Sequence, residues 1–222
     1  MGYRTFIVGF SSKNEVFHED DGIDIIHVAT PFNKLLSLGL FFITPYIVAK
    51  LSELVTEHKP SEVVVYSAGT WGLAGVRLKQ KLHDVTFPVK TFVGYFSTYE
   101  HDSKGQVVGA PRSDYGLWPH LFMQFVHLVS KVVFKPMEHY MLKNTDRVVV
   151  HYESTKNILL NEIKGLDPKK IIKIPYYIDF YSRTSDIKFA NELVADPSLP
   201  TVSVICRQDP RKGINSFFVR VG

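Results

Sequence analysis

The stretch "SEVVVYSAGTWGLAGVRLKQKLH" (Ser61–His83) constrains the fold of this chain more than any other. Its opening, Ser61–Ala68, is a nearly unbroken valine run. Such a run, with no polar alternation, is the pattern of a strand buried on both faces of a parallel sheet. At Gly69 it gives way to a turn and then to a helical pattern, the kind of crossover that parallel strands require. The same rhythm recurs along the chain. Strands are expected at Tyr3–Phe10, Ile23–Ala29, Pro88–Phe96, Asp146–Tyr152 and within Lys169–Asp179. Helices are expected from about Leu35 to His58, ending before Pro60, and over Ser154–Leu166, with Ser154 as the N-cap. The polar "SSKNEVFHEDDG" connects the first two strands. This alternation implies an α/β protein with a doubly wound parallel sheet.

Two regions depart from the rhythm. "STYEHDSKGQVVGAPRSDYG" (Ser97–Gly116) reads as a long polar loop, of the size that covers sites. "LWPHLFMQFVHLVSKVVFKPMEHYMLK" (Leu117–Lys143) reads as a helix that Pro136 should kink or divide. Leu121, Phe125, Leu128, Val129 and Val132 recur on it at helix-face spacings. Such a face is ordinarily core; exposed, it would dock lipid or a partner. A second apolar run, the fifteen uncharged residues between Lys34 and Lys50, is interrupted by Pro45. It is shorter than the roughly 20 residues that a membrane span needs, which favours a buried helix over interfacial insertion.

Composition removes several function classes. A formal charge of +4 without a dense basic run argues against nucleic-acid binding. The lone Cys206 excludes an internal disulfide and suits a reducing compartment. No secretory signal pattern opens the sequence, so a cytoplasmic location is expected. The nine histidines show no metal-ligand spacing, and neither a metal nor a cofactor is expected.

The residues able to carry chemistry gather at the expected strand ends. In open α/β sheets ligands sit outside the carboxyl ends of strands, beside helix N-termini. Ser67, Gly69 and Thr70 leave the first such turn uncluttered, although "GTWGLAG" matches no nucleotide fingerprint. Gly94 and Tyr95 end the next strand, followed by Phe96, Tyr99, Glu100 and the neighbouring His101 and Asp102, a candidate acid/base pair. Glu153 and Ser154 follow another strand, and Tyr177 and Asp179 follow the last of this series. Near the end, "TVSVICRQDPRKG" places Arg207, Lys212 and Gly213 behind a β-branched run. A planar guanidinium and a point-charge ammonium together suit a diphosphate.

Taken in order, "KPSEVVVYSAGTWGLAGVRLKQKLHDVTFPVKTFVGYFSTYE", "TDRVVVHYESTKNILLN", "KIIKIPYYIDF" and "VSVICRQDPRKGINSF" resemble the retaining group 1 (family 4) glycosyltransferases of the GT-B fold. The resemblance spans about Tyr3 to Phe217. It implies a Rossmann-like acceptor domain over residues 1–180, a linker at 181–199, and the start of a donor-binding domain at 200–222. It also implies that Arg207, Lys212 and Gly213 face the donor diphosphate, while Ser67, Gly69, Thr70, Gly94, Tyr95, Glu153, Ser154, Tyr177 and Asp179 line the acceptor side of a cleft. Val93 stands where the family often has histidine, and "PYYID" (Pro175–Asp179) replaces its "PNGVD". No catalytic residue is assigned.

The activity implied is hexosyl transfer from a nucleotide-sugar to a glycan or lipid-linked acceptor with retention, in glycan biosynthesis. The family's first strand and its later glutamate pair have no counterpart here, so a fragment, inactive alone and with an open sheet edge, is expected. The location implied is cytoplasmic, at the inner face of the membrane, with peripheral contact. The rival reading is a non-catalytic Rossmann-like module that binds a membrane surface or a protein through Leu35–Leu51 and Leu117–Phe134.

Overall fold

The computed structural model describes residues 4–19, 22–33, 40–109 and 111–175. In chain order they form β1 (Thr5–Ser11), β2 (Glu15–His18), β3 (Ile23–Ala29), α1 (Leu40–His58) and β4 (Val63–Ala68). A 3₁₀ turn (Gly69–Trp71) then leads into α2 (Gly72–Lys81), and β5 (Val89–Tyr95) follows. Next come α3 (Tyr99–Gly109), α4 (Arg112–Tyr115), α5 (Leu117–Val129) and a π-helical turn (Ser130–Phe134). The series closes with α6 (Lys135–Asn144), β6 (Arg147–Val150), α7 (Glu153–Glu162) and β7 (Ile171–Lys173). Two compact units result: one holds the described residues up to Thr98 together with Lys135–Ile174, the other Tyr99–Phe134. The expected linker at 181–199 and the segment 200–222 lie outside the described residues.

The first unit is α/β, and its strands form two sheets rather than the one expected. The larger has the order β4-β5-β6-β7, all parallel. The smaller has the order β1-β3-β2, with β1 parallel and β2 antiparallel to β3. Strand β2 falls in the polar connection, where Val16 and Phe17 between Glu15 and His18 are too short a pattern to register.

The valine run is not the doubly buried strand its composition suggested. β4 is an edge strand, and along it the covered Val63, Val65 and Ser67 alternate with the exposed Val64 and Tyr66. The strand buried on both faces is β6, whose Val148, Val149 and Val150 are all core. Position in the strand order, which valines do not encode, decides this.

Helix α1 lies on the smaller sheet and against α2. Its Ile43, Ile47 and Val48 meet Ala74 of α2, with Val8, Phe10, Val28, Phe32, Leu51 and Trp71 packed around them. Pro45 sits inside α1 without ending it. Helix α2 approaches β5 closely through Gly72, where a Cβ would lie 2.4 Å from Val93 Cγ2 and 2.9 Å from Met141 Sδ. At the amino end of the larger sheet, Asp146 accepts hydrogen bonds from Thr91 N (2.8 Å) and Thr91 Oγ1 (3.0 Å). Its other oxygen meets Lys79 Nζ at 2.5 Å. Burial is the largest single influence on this carboxyl and raises its pKa, but the Lys79 and Thr91 bonds together outweigh it and hold the pKa below the ordinary value.

The second unit is helical, so the loop expected over Ser97–Gly116 is instead mostly α3 and α4. Glu100 and Asp102 in the first turn of α3 favour a helix N-terminus. Ser103 Oγ lies 2.9 Å from His127 Nδ1 and ties α3 to α5, and Tyr99 stacks on Phe134 at 4.8 Å. Tertiary bonds thus carry what the polar local composition hid. The irregularity expected at Pro136 takes the form of the π-helical turn just before it.

Candidate functional site

Because β4 to β7 run parallel, their carboxyl ends share one edge of the sheet. That rim brings together Ser67, Gly69 and Thr70 after β4, Gly94 and Tyr95 at the end of β5, and Glu153 and Ser154 after β6. Gly69 takes a φ of +57°, which lets the chain leave β4 and turn into the helix without strain. Thr70 is buried in that turn. Gly94 lies beneath Tyr66, whose hydroxyl occupies the place a Cβ would take, 2.4 Å from its ideal position. The exposed Tyr66 ring therefore extends over β5 on the sheet face turned away from α2.

Tyr95 does not open onto the rim as the sequence suggested. It is 2% exposed, and its hydroxyl donates to Glu138 of α6, itself fully buried. Alternation along β5 puts Thr91, Val93 and Tyr95 on the helix-covered face, and Gly94 and Phe96 on the other. Tyr95 thus supports the rim from inside.

Glu153 and Ser154 are exposed at the first two positions of α7. Ser154 is not the N-cap; the helix begins one residue earlier, with Tyr152 in the cap position and no side-chain cap bond. Glu153 in the first turn complements the helix dipole instead. A hydrogen bond from Lys173 (3.0 Å), then the charge of Lys156 (3.4 Å), holds the Glu153 carboxyl below its ordinary pKa. It is an ion-paired carboxylate near neutrality, suited to accepting hydrogen bonds from hydroxyls and poorly suited to taking up a proton.

The chain leaving β5 is held against α7. Thr155 Oγ1 donates to Phe96 O at 2.9 Å, and Thr98 Oγ1 donates to Glu162. Between them the Ser97 hydroxyl is buried without a hydrogen-bond partner among the described residues. Phe96 and His151 lie 5.3 Å apart with rings tilted by 30°. Phe96, expected at this strand end, is thus joined on the rim by Tyr66, Ser97 and His151, which the sequence reading did not single out. Strict alternation along β4 was the signal for Tyr66. Exposed aromatic faces beside hydrogen-bonding groups can stack on a sugar ring and bond its hydroxyls.

Tyr177, Asp179, Arg207, Lys212 and Gly213 lie outside the described residues. His101 and Asp102 belong to α3 in the second unit, where consecutive helical positions point about 100° apart rather than along one face. Among the described residues no group of three or more His, Cys, Asp or Glu is placed to hold a metal ion. No described helix is long and apolar enough to cross a membrane. No family model matches the chain, and no curated protein matches it.

Proposed function

We propose that the chain serves sugar transfer from a nucleotide-sugar to a glycan or lipid-linked acceptor, as the acceptor-side part of a retaining, Rossmann-like GT-B glycosyltransferase. The observation that carries this reading is the shared rim. Residues picked from separate motifs of the resemblance, Ser67 and Gly69, Gly94, and Glu153 and Ser154, fall at the carboxyl ends of three successive parallel strands. The exposed Tyr66 and Phe96 beside them suit the apolar face of a pyranose ring. In the reaction the anomeric carbon–oxygen bond to the diphosphate breaks, and a bond to an acceptor oxygen forms with the same anomeric configuration. The acceptor loses its proton and the nucleoside diphosphate departs. Stabilising that leaving group is the role this reading gives Arg207 and Lys212.

Ligand-observed NMR against panels of oligosaccharides and nucleotide-sugars tests the proposal. At least one oligosaccharide is expected to take up saturation from the chain and to lose it with Tyr66→Ala or Glu153→Ala. A nucleotide-sugar is expected to do the same and to lose it with Arg207→Ala or Lys212→Ala. Binding of neither class, or binding unmoved by these substitutions, overturns the reading.

A further inference from the structure

The second unit carries much of its apolar surface on the outside. None of the α5 side chains is fully buried. Leu117, Leu121, Phe122, Phe125 and Leu128 are exposed, and Trp118 is 79% exposed. At about 100° per residue these six positions cover about 140° of the helix surface. Val132 and Val133 of the π-helical turn are exposed as well. The polar side chains of α5 bond within the unit: Gln124 Nε2 lies 3.0 Å from His120 Nε2, and His127 meets Ser103. A contiguous apolar face of this kind marks an interaction surface.

Charge selects the occupant. Between Asp114 and Glu138 the sequence contains no carboxylate. Lys131, exposed, sits among the apolar residues, and the exposed Arg112 lies on the short helix before them. Protein interfaces pair apolar cores with a rim of hydrogen-bonding groups, whereas the polar groups of α5 are already used internally. Asp114 is exposed on that short helix as well, but over residues 115–137 the only Asp, Glu, Lys or Arg are Lys131 and Lys135. Aromatic and aliphatic anchors carrying only cations are complementary to acyl chains beneath anionic headgroups. Thirteen residues of helix reach only about 20 Å, a length for lying in the interface rather than crossing it.

We propose that α5 docks the chain on an anionic membrane surface, with Trp118, Phe122 and Phe125 as the inserting anchors. The inference stands independently of the sugar-transfer reading. Flotation of the full chain with phosphatidylcholine vesicles, with and without phosphatidylglycerol, tests it. The chain is expected to float with the anionic vesicles. Trp118→Asp combined with Phe125→Asp should reduce the bound fraction at least about tenfold, and Lys131→Gln about fivefold. Both aromatic positions are exposed, so circular dichroism should show these variants folded. In a Trp71→Phe background, Trp118 is the remaining tryptophan, and its emission should shift to the blue on anionic vesicles alone. Three results overturn the proposal: no flotation, equal flotation on neutral vesicles, or flotation unaffected by the double substitution. Self-association that the same substitutions dissolve, without vesicle binding, would assign the face to a second copy of the chain and overturn it too.

Discussion

Helices α1 and α5 are both written in apolar and aromatic residues, each with a proline near its beginning, and they do opposite things with them. Helix α1 buries Leu40, Ile43, Ile47, Val48 and Leu54 against its own unit. Helix α5 fully buries nothing. Apolar content therefore does not say where a helix ends up. What separates them is the supply of partner surface. α1 has a sheet and α2 to cover it, whereas among the described residues α5 shares its unit with the polar α3, the single turn of α4 and the π-helical turn. Each unit also holds one tryptophan, Trp71 in the core beside α1 and Trp118 on the face of α5. The two regions can therefore be followed separately by emission in Trp118→Phe and Trp71→Phe backgrounds.

The largest effect should come from emptying the α1 core. Ile43 is fully buried. Ile43→Ala removes three heavy atoms from a packed site and should cost about 3 kcal/mol. Urea unfolding followed by Trp71 is expected to show that loss. A change under about 1 kcal/mol would mean that α1 is as loosely held as α5, and the contrast would disappear.

A second, somewhat smaller effect comes from overfilling rather than emptying. Any side chain at Gly72 must displace Val93 and Met141, both enclosed by β5 and α6. Gly72→Val should destabilise the Trp71 unit by about 2 kcal/mol. Gly94→Ala, at a similar nominal distance, should cost less, because the exposed Tyr66 ring above it can swing aside. Reversal of that order in thermal melts would show that Tyr66 is fixed.

What was legible in the sequence follows the same line. Strands β1, β3, β4, β5, β6 and β7 were readable because β-branched runs bounded by turns declare themselves locally. The pairing into two sheets, the edge position of β4 and the strand β2 were not, since strand order is settled by contacts distant in sequence. Helix α3 was missed because the bond from Ser103 to His127 spans 24 residues. The rim was legible to the extent that turns after strands were: Ser67, Gly94 and Glu153 could be picked, but the inward turn of Tyr95 to Glu138 could not. That turn depends on which face of β5 the helices cover.

Acid should loosen the first unit by an intermediate amount. The folded pKa of Asp146 is depressed, so its contribution is present above the unfolded value of about 4 and is lost as pH falls through the folded value. Partial exposure and salt screening reduce that contribution, which is expected to be smaller than the cost of either core substitution. The Trp71 transition in urea should therefore weaken below about pH 4 in the parent and weaken less steeply in Asp146→Asn. Equal pH dependence of parent and variant would remove the Lys79–Asp146–Thr91 network from the account of this unit.

The smallest stability change is expected on α5, and it bears most directly on the contrast. Phe122 is 59% exposed, so replacing it sacrifices little packing within the chain. Lysine is also a slightly better helix former than phenylalanine, by a few tenths of a kcal/mol. Phe122→Lys should therefore change stability by no more than about 0.5 kcal/mol in either direction, with unchanged helical circular dichroism, while solubility rises as apolar surface is removed. A loss near that of Ile43→Ala would show that the chain covers this face with its own residues in solution. α5 would then be a core helix like α1, and the contrast between the two would disappear.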